Sequence, residues 1–314
     1  MATPIWTPDP SIEPASFAYF YYWYDLPDGP HSGALTQRPA EGEATSYRHV
    51  VWFEKQLFDM TEAGVDNALA IYWADAEPSS DTGLVNMNEA ASELESEGID
   101  APQIGMFIDT GFIGRWPEAS RDLRDEENID RLYDSIRRFY TIVDRDHWAL
   151  IDGKPVVWLW GAYFNIGFDQ STFDYIYSRF GSDFGVEPYI VAEISWFHEA
   201  PEDGITVDDY YTWGASLLGF EEPIGNIAEV GPGYDERELT GPGRTGRFAE
   251  RDGGDFYRDA FQGAIDSGRP IVAIETWNEF HEASGVADSV EYGRDYIELT
   301  RELVAALKAA VTSR

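Results

Sequence analysis

Eight short apolar runs recur along this chain of 314 residues, and the stretches between them repeat their apolar positions at helical spacing. The candidate strands are Phe17–Trp23, Asn67–Trp73, Gln103–Asp109, Pro155–Trp160, Pro188–Ile194, Asp209–Trp213, Asn226–Val230 and Pro270–Glu275. Most are continuously apolar, as a parallel sheet buried on both faces requires. Between them, Val50, Phe53, Leu57 and Met60 share one helical stripe, as do Leu132, Ile136, Phe139 and Val143. Ile297, Thr300, Val304, Leu307 and Val311 mark a last helix. Eight alternations predict a (β/α)8 TIM barrel, with an open doubly wound sheet as the alternative. Connections leading into strands are short, such as Ala63 to Asp66 and Ser267 to Arg269, whereas those leaving strands are mostly long, such as Tyr24 to Arg48 and Gly231 to Gly254. In a barrel the long loops share one face, where sites are built. No linker or second core interrupts the pattern, so residues 1–314 read as one domain with residues 1–14 as an N-terminal arm.

If the barrel forms, the strand exits converge. The first offers Tyr21, Tyr22, Trp23 and Tyr24, the second Trp73 and Asp75, and the third Asp109. The fourth gives Trp160, Tyr163 and Asn165, the fifth Glu193 and Trp196, the sixth Trp213, and the seventh Gly231-Pro232-Gly233-Tyr234-Asp235. Aromatic faces beside carboxylates and amides suit a sugar, whose C–H faces stack on rings while its hydroxyls form hydrogen bonds. About half of these aromatics are expected to be ordinary barrel packing. The eighth exit is the densest: Thr276-Trp277-Asn278-Glu279-Phe280-His281-Glu282. A helical turn there would put Glu279 and Glu282 on one face, and paired carboxylates on one wall serve acid/base chemistry at a glycosidic bond. The bland alternative is a surface turn whose acids favour a helix N-terminus. Glu193, at the end of an apolar strand, reads equally as a structural ion-pair partner or a substrate contact.

Composition removes other classes of function. No cysteine is present, and five dispersed histidines (31, 49, 147, 198, 281) lack zinc-ligand spacing, so no metal is expected. No phosphate-binding glycine motif and no G-x-S-x-G elbow occur, which disfavours nucleotide cofactors and serine hydrolysis. No cofactor is implied. Net charge is −36, from 58 acids against 22 Lys and Arg, so nucleic acid is a poor partner. An aromatic content of 15% separates the chain from disordered acidic proteins. The acid excess instead fits a halophile's protein, soluble in strong salt. No apolar stretch is long enough to span a membrane, and no export signal opens the sequence. As written, the chain reads as cytoplasmic; one trimmed of its signal would be extracellular. No pattern specifies an oligomeric state.

These motifs resemble glycoside hydrolase family 99 and its relatives, the endo-α-mannosidase-like TIM barrels, which include domains of unassigned function. The matching pieces are Tyr19–Tyr24, Ala63-Gly64-Val65-Asp66, Asp152-Gly153-Lys154-Pro155, Gly231-Pro232-Gly233-Tyr234-Asp235, Thr276 to Glu282, and Ser289-Val290-Glu291-Tyr292-Gly293. Where the family motif commonly reads N-E-W-H-E-G, this chain has Phe280 and Ala283 for the Trp and the Gly. The resemblance implies an endo-acting, retaining glycosidase for an oligo- or polysaccharide of α-mannoside-like type. Glu279 would be the base on the substrate 2-hydroxyl and Glu282 the acid/base. Tyr22, Trp23, Asp75, Tyr234, Asn278, His281 and, less directly, Glu193 would contact substrate. Two other readings stay open: a conventional retaining pair of Glu193 and Glu279, and a carbohydrate-binding barrel without turnover.

Overall fold

The structure, a computed structural model, describes residues 7–163, 166–241 and 243–313, the side chain of Asp75 excepted. Eight parallel strands form a nearly closed barrel: β1 (Ala15–Phe20), β2 (Asn67–Tyr72), β3 (Gln103–Asp109), β4 (Lys154–Trp160), β5 (Tyr189–Glu193), β6 (Asp209–Tyr211), β7 (Ile227–Val230) and β8 (Ile271–Ile274). Each strand pairs with its sequence neighbour from β1 to β6, and β8 pairs with both β1 and β7, Ile271 lying opposite Ala15 and Ile227. The (β/α)8 TIM barrel is therefore the fold. All eight candidate runs are strands, but β1 ends at Phe20 and not at Trp23. The cause is local: the Tyr21 amide donates to Asn278 Oδ1 (2.7 Å) and leaves the ladder.

Between β6 and β7 the described residues form no ladder. A side chain closes the seam instead. Both carboxylate oxygens of Asp209, wholly buried, accept from the Asn226 amide (3.0 and 3.2 Å), and Oδ2 also accepts from Asn226 Nδ2 (3.0 Å). Gly225 is required beside it, because a Cβ there would lie 1.8 Å from Asp209 Oδ1. The interior of the barrel is aromatic. Trp158 Nε1 donates to Tyr19 Oη (3.0 Å), and the Tyr19 hydroxyl donates to Glu229 Oε1 (2.8 Å).

The helices follow the strands in order: α1 (Val50–Glu62), α2 (Ser79–Ser96), α3 (Glu126–Ile142), α4 (Gln170–Phe184), α5 (Ser195–His198), α6 (Ala215–Leu218), α7 (Asp255–Ser267) and α8 (Asp295–Thr312). The expected stripes face inward: Phe53, Leu57 and Met60 on α1, Leu132, Ile136 and Phe139 on α3, and Ile297, Thr300, Val304 and Leu307 on α8 are buried. Helix α4 is fixed at both ends, by an Asp169–Thr172 capping box and by Gly185 in the left-handed conformation. Helices α5 and α6 are single turns. That thinning of the outer layer falls beside the β6–β7 seam. No described helix is long and apolar enough to cross a membrane.

Candidate active site at the barrel mouth

Past β8 the chain makes a compact turn rather than the helix that i, i+3 spacing suggested. Its backbone is pinned to β1 and its own side chains. The Trp277 amide donates to Tyr19 O (2.8 Å), the Glu279 amide to Thr276 Oγ1 (2.8 Å), and the Phe280 amide to Tyr24 Oη (2.9 Å). From outside, buried Arg251 donates through Nη2 to the carbonyls of Ala283 and Gly285 (2.8 Å each). The turn nevertheless presents both carboxylates, with His281 between them, to one cavity of about 420 Å³. Its walls include Tyr21, Trp23, Trp73, Phe107, Trp160 and Trp213, one or more from each of strand exits one to four and six. His31 reaches in from the β1–α1 loop and stacks on Trp23, centroids 4.6 Å apart and planes 11° apart.

The two carboxylates have different surroundings. Glu279 Oε1 accepts from the His281 amide (3.0 Å), from His281 Nδ1 (3.0 Å) and from the Tyr24 hydroxyl (3.4 Å). Burial alone would depress the His281 imidazolium, but its hydrogen bond to Glu279 and that carboxylate's charge outweigh burial and raise its pKa. Burial, then the charge of Glu279, pushes the Glu282 carboxyl above the usual range, against the opposing bond from Arg244. Arg244 bonds Glu282 Oε1 directly through Nη1. Asp109, on the far wall, accepts from Trp73 Nε1 (2.8 Å), and burial pushes it up to about 6.

A second cavity, of about 450 Å³, adjoins the first. The two share Trp160, Trp213, Arg244 and Glu282, so Glu282 stands where they meet. The second extends over α6 and takes in Tyr234, Arg247 and Glu275. Among the described residues, Glu282 is thus the one carboxylate that lines both cavities.

Residues 35–312 match the family described as "Domain of unknown function (DUF5010)". The chain belongs to DUF5010. No curated protein matches it. Among solved structures, this DUF5010 chain is similar to a GH99 endo-alpha-mannosidase from Bacteroides thetaiotaomicron, at 18% identity and a TM-score of 0.71, over 98% of this chain and 100% of that one. A second structure of that enzyme, in complex with BIS-TRIS-propane, matches at 16% identity and a TM-score of 0.72, over 96% and 100%. A "glycoside hydrolase-like protein" matches at 14% identity and a TM-score of 0.71, over 97% of each chain. At these identities the likeness is one of fold, and it agrees with the resemblance seen in the motifs.

Of the residues singled out from sequence, Trp23, Glu279, His281 and Glu282 line the first cavity of this DUF5010 barrel, and Tyr234 lines the second. Tyr22, Asn278 and Glu193 line neither. Tyr22 is buried against α2, its hydroxyl donating to Ser80 O (3.0 Å) and its ring over Gly83. Asn278 spends its carbonyl on the Tyr21 amide, and buried Glu193 accepts from the Ser195 amide (3.0 Å) and hydroxyl. The Asp75 side chain and Asn165 lie outside the described residues. Four charged or titratable cavity residues escaped the sequence reading, Arg247 beside Arg244 among them. His31 and Arg244 come from long loops that carry no periodic signal, and Glu275 reads as the last residue of a strand. Among the described residues, no three His, Asp or Glu side chains are grouped to hold a metal ion.

Proposed function

We propose that this chain is a glycoside hydrolase that cuts an α-mannoside-like or related polysaccharide internally and with retention, using Glu279 and Glu282. The supporting observation is that both carboxylates open onto one aromatic cavity and that burial and the charge of Glu279 favour the protonated form of Glu282. Among the described residues, the three donors on Glu279 all meet Oε1, which leaves Oε2 for substrate. In the first step Glu279 takes the proton from the sugar 2-hydroxyl, and O2 attacks C1. The C1–O bond to the leaving sugar breaks, and that oxygen takes the proton of Glu282. In the second step Glu282, now a carboxylate, takes a proton from water. The hydroxide oxygen bonds C1, the C1–O2 bond of the 1,2-anhydro sugar opens, and O2 recovers its proton from Glu279. Two inversions at C1 give net retention. Trp23, Trp73, Trp160 and Trp213 supply stacking faces for the sugars. That Glu282 lines both cavities favours cleavage within a chain over trimming of an end.

A conventional Glu193–Glu279 pair is disfavoured, because Glu193 is held by Ser195 and lines neither cavity. Proton NMR of the sugar released first, together with binding of the Glu282→Gln variant to the same polysaccharide, tests the proposal. Retention, with binding kept and turnover lost in the variant, is the expected result. An inverted first product rejects the mechanism; binding by both proteins with turnover by neither identifies a silent binding barrel.

A further inference from the structure

The second cavity carries charge that a neutral sugar does not call for. In a chain with 22 cationic side chains against 58 acids, Arg244 and Arg247 both stand on its wall. Buried Glu236 holds them there. Its Oε1 accepts from the Thr245 amide (3.1 Å), the Arg247 amide (3.1 Å) and Arg247 Nε (3.0 Å). Its Oε2 accepts from the Tyr234 hydroxyl (2.8 Å), Arg244 Nη1 (3.0 Å) and Arg247 Nη2 (2.8 Å). Hydrogen bonding from Arg247 holds Glu236 far below the usual carboxylate range, so it remains an anion and balances one of the two guanidiniums.

The other guanidinium is faced by Glu282, the group that must carry a proton to act as an acid. Once Glu282 is protonated, one positive charge on the wall has no partner. Glu275 is the remaining carboxylate there; burial pushes it up to about 7, against the Gly214 and Ser216 amides, so it is largely neutral below that pH. Donors also remain. Among the described residues, the hydrogen bonds of the Arg244 side chain run through Nη1 alone, and those of Arg247 through Nε and Nη2. A guanidinium has five N–H donors, which leaves Arg244 Nε and Nη2 and Arg247 Nη1 for a ligand.

We propose that the second cavity binds an anionic sugar, carrying a carboxylate or a sulfate, through Arg244 and Arg247, so that the polysaccharide cut beside Glu282 is an acidic one. This rests on the glycosidase reading. Guanidinium forks match the paired oxygens of such groups. The groups that face Arg244 are Glu236, Glu282 and Tyr234, with Glu275 on the same wall. A bound anion draws Arg244 from Glu282, and with that opposing bond weakened, burial and the charge of Glu279 favour proton uptake at Glu282 while the Tyr234 hydroxyl still opposes it. The arriving substrate thereby arms the acid.

The test is calorimetric binding to the native protein, at one fixed potassium chloride concentration, of three matched probes: neutral α-mannan oligosaccharides, the same oligosaccharides sulfated, and the same oxidised at C6 to uronates. At least one charged probe is expected to bind about tenfold more tightly than the neutral one, with proton uptake seen as a dependence of the heat on buffer ionisation enthalpy. The better charged probe tells sulfate from carboxylate. Arg247→Met is expected to erase most of the preference and Arg247→Lys to keep part of it, near-UV dichroism confirming that each is folded. Equal affinity for charged and neutral probes, or a preference untouched by Arg247→Met, overturns the inference and leaves the glycosidase reading standing. Binding of none of the three overturns both.

Discussion

In the proposed mechanism Glu279 and Glu282, three residues apart, take opposite tasks. Substituting Glu282 by Gln is expected to lower kcat by roughly 10²–10⁴-fold, the range for a placed proton donor, with binding of polysaccharide retained. The proposed mechanism makes the acid form of Glu282 the working form, so activity is expected to fall as pH rises through its elevated pKa. Arg244 opposes that elevation, so Arg244→Met moves the alkaline limb of the kcat/KM profile to higher pH; an unmoved or lowered limb would show that Glu282 is not the acid. Sequence exposed the carboxylates, His281 and Trp23 because they crowd strand exits. Tyr22, singled out with them, does not line the cavity, and the reason is physical. Extended chain turns successive side chains to opposite faces, and beyond the end of β1 Tyr21 and Trp23 face the cavity, whereas Tyr22 is buried away from it and Tyr24 is buried behind its wall with its hydroxyl on Glu279. Residue type alone does not give that phase. Arg244 was illegible because its position depends on a distant contact, the buried Glu236 hub.

At the scale of elements, the eight strands were legible because burial on both faces makes each a continuous apolar run, and the helices because their stripes repeat. What was not legible is the weak side of the barrel, where α5 and α6 shrink to single turns and Asp209 replaces a ladder. Asp209→Ala strands the buried Asn226 donors and is expected to cost about 2–4 kcal/mol in urea unfolding; a loss below about 0.5 kcal/mol would mean that the seam closes without the clamp. Glu275, at the exit of β8, makes a separate prediction. Its folded pKa of about 7 stands above the unfolded value of about 4.5. Stability from this group is complete below the lower value and declines as pH rises to the higher, by up to about 1.4 kcal/mol per pH unit. Relative to the native protein, Glu275→Gln is therefore expected to gain stability progressively between those two pH values and to level off above. A difference independent of pH would refute the assignment.

For the whole molecule, a net charge of −36 makes self-repulsion the dominant long-range term. The Debye length grows from about 3 Å at 1 M salt to about 30 Å at 0.01 M, so the melting temperature is expected to fall on dilution of salt, and an unchanged one would argue against adaptation to strong salt. The same field disfavours any anionic substrate until it reaches the arginines of the second cavity, which makes salt a condition of every assay. The most direct test of the central claim is the release of reducing ends from a panel of α-linked mannans and their acidic derivatives in strong potassium chloride, by the native protein and by its Glu279→Gln and Glu282→Gln variants. Release by the native protein, lost in both variants, is the result predicted. Release that survives both substitutions would contradict it.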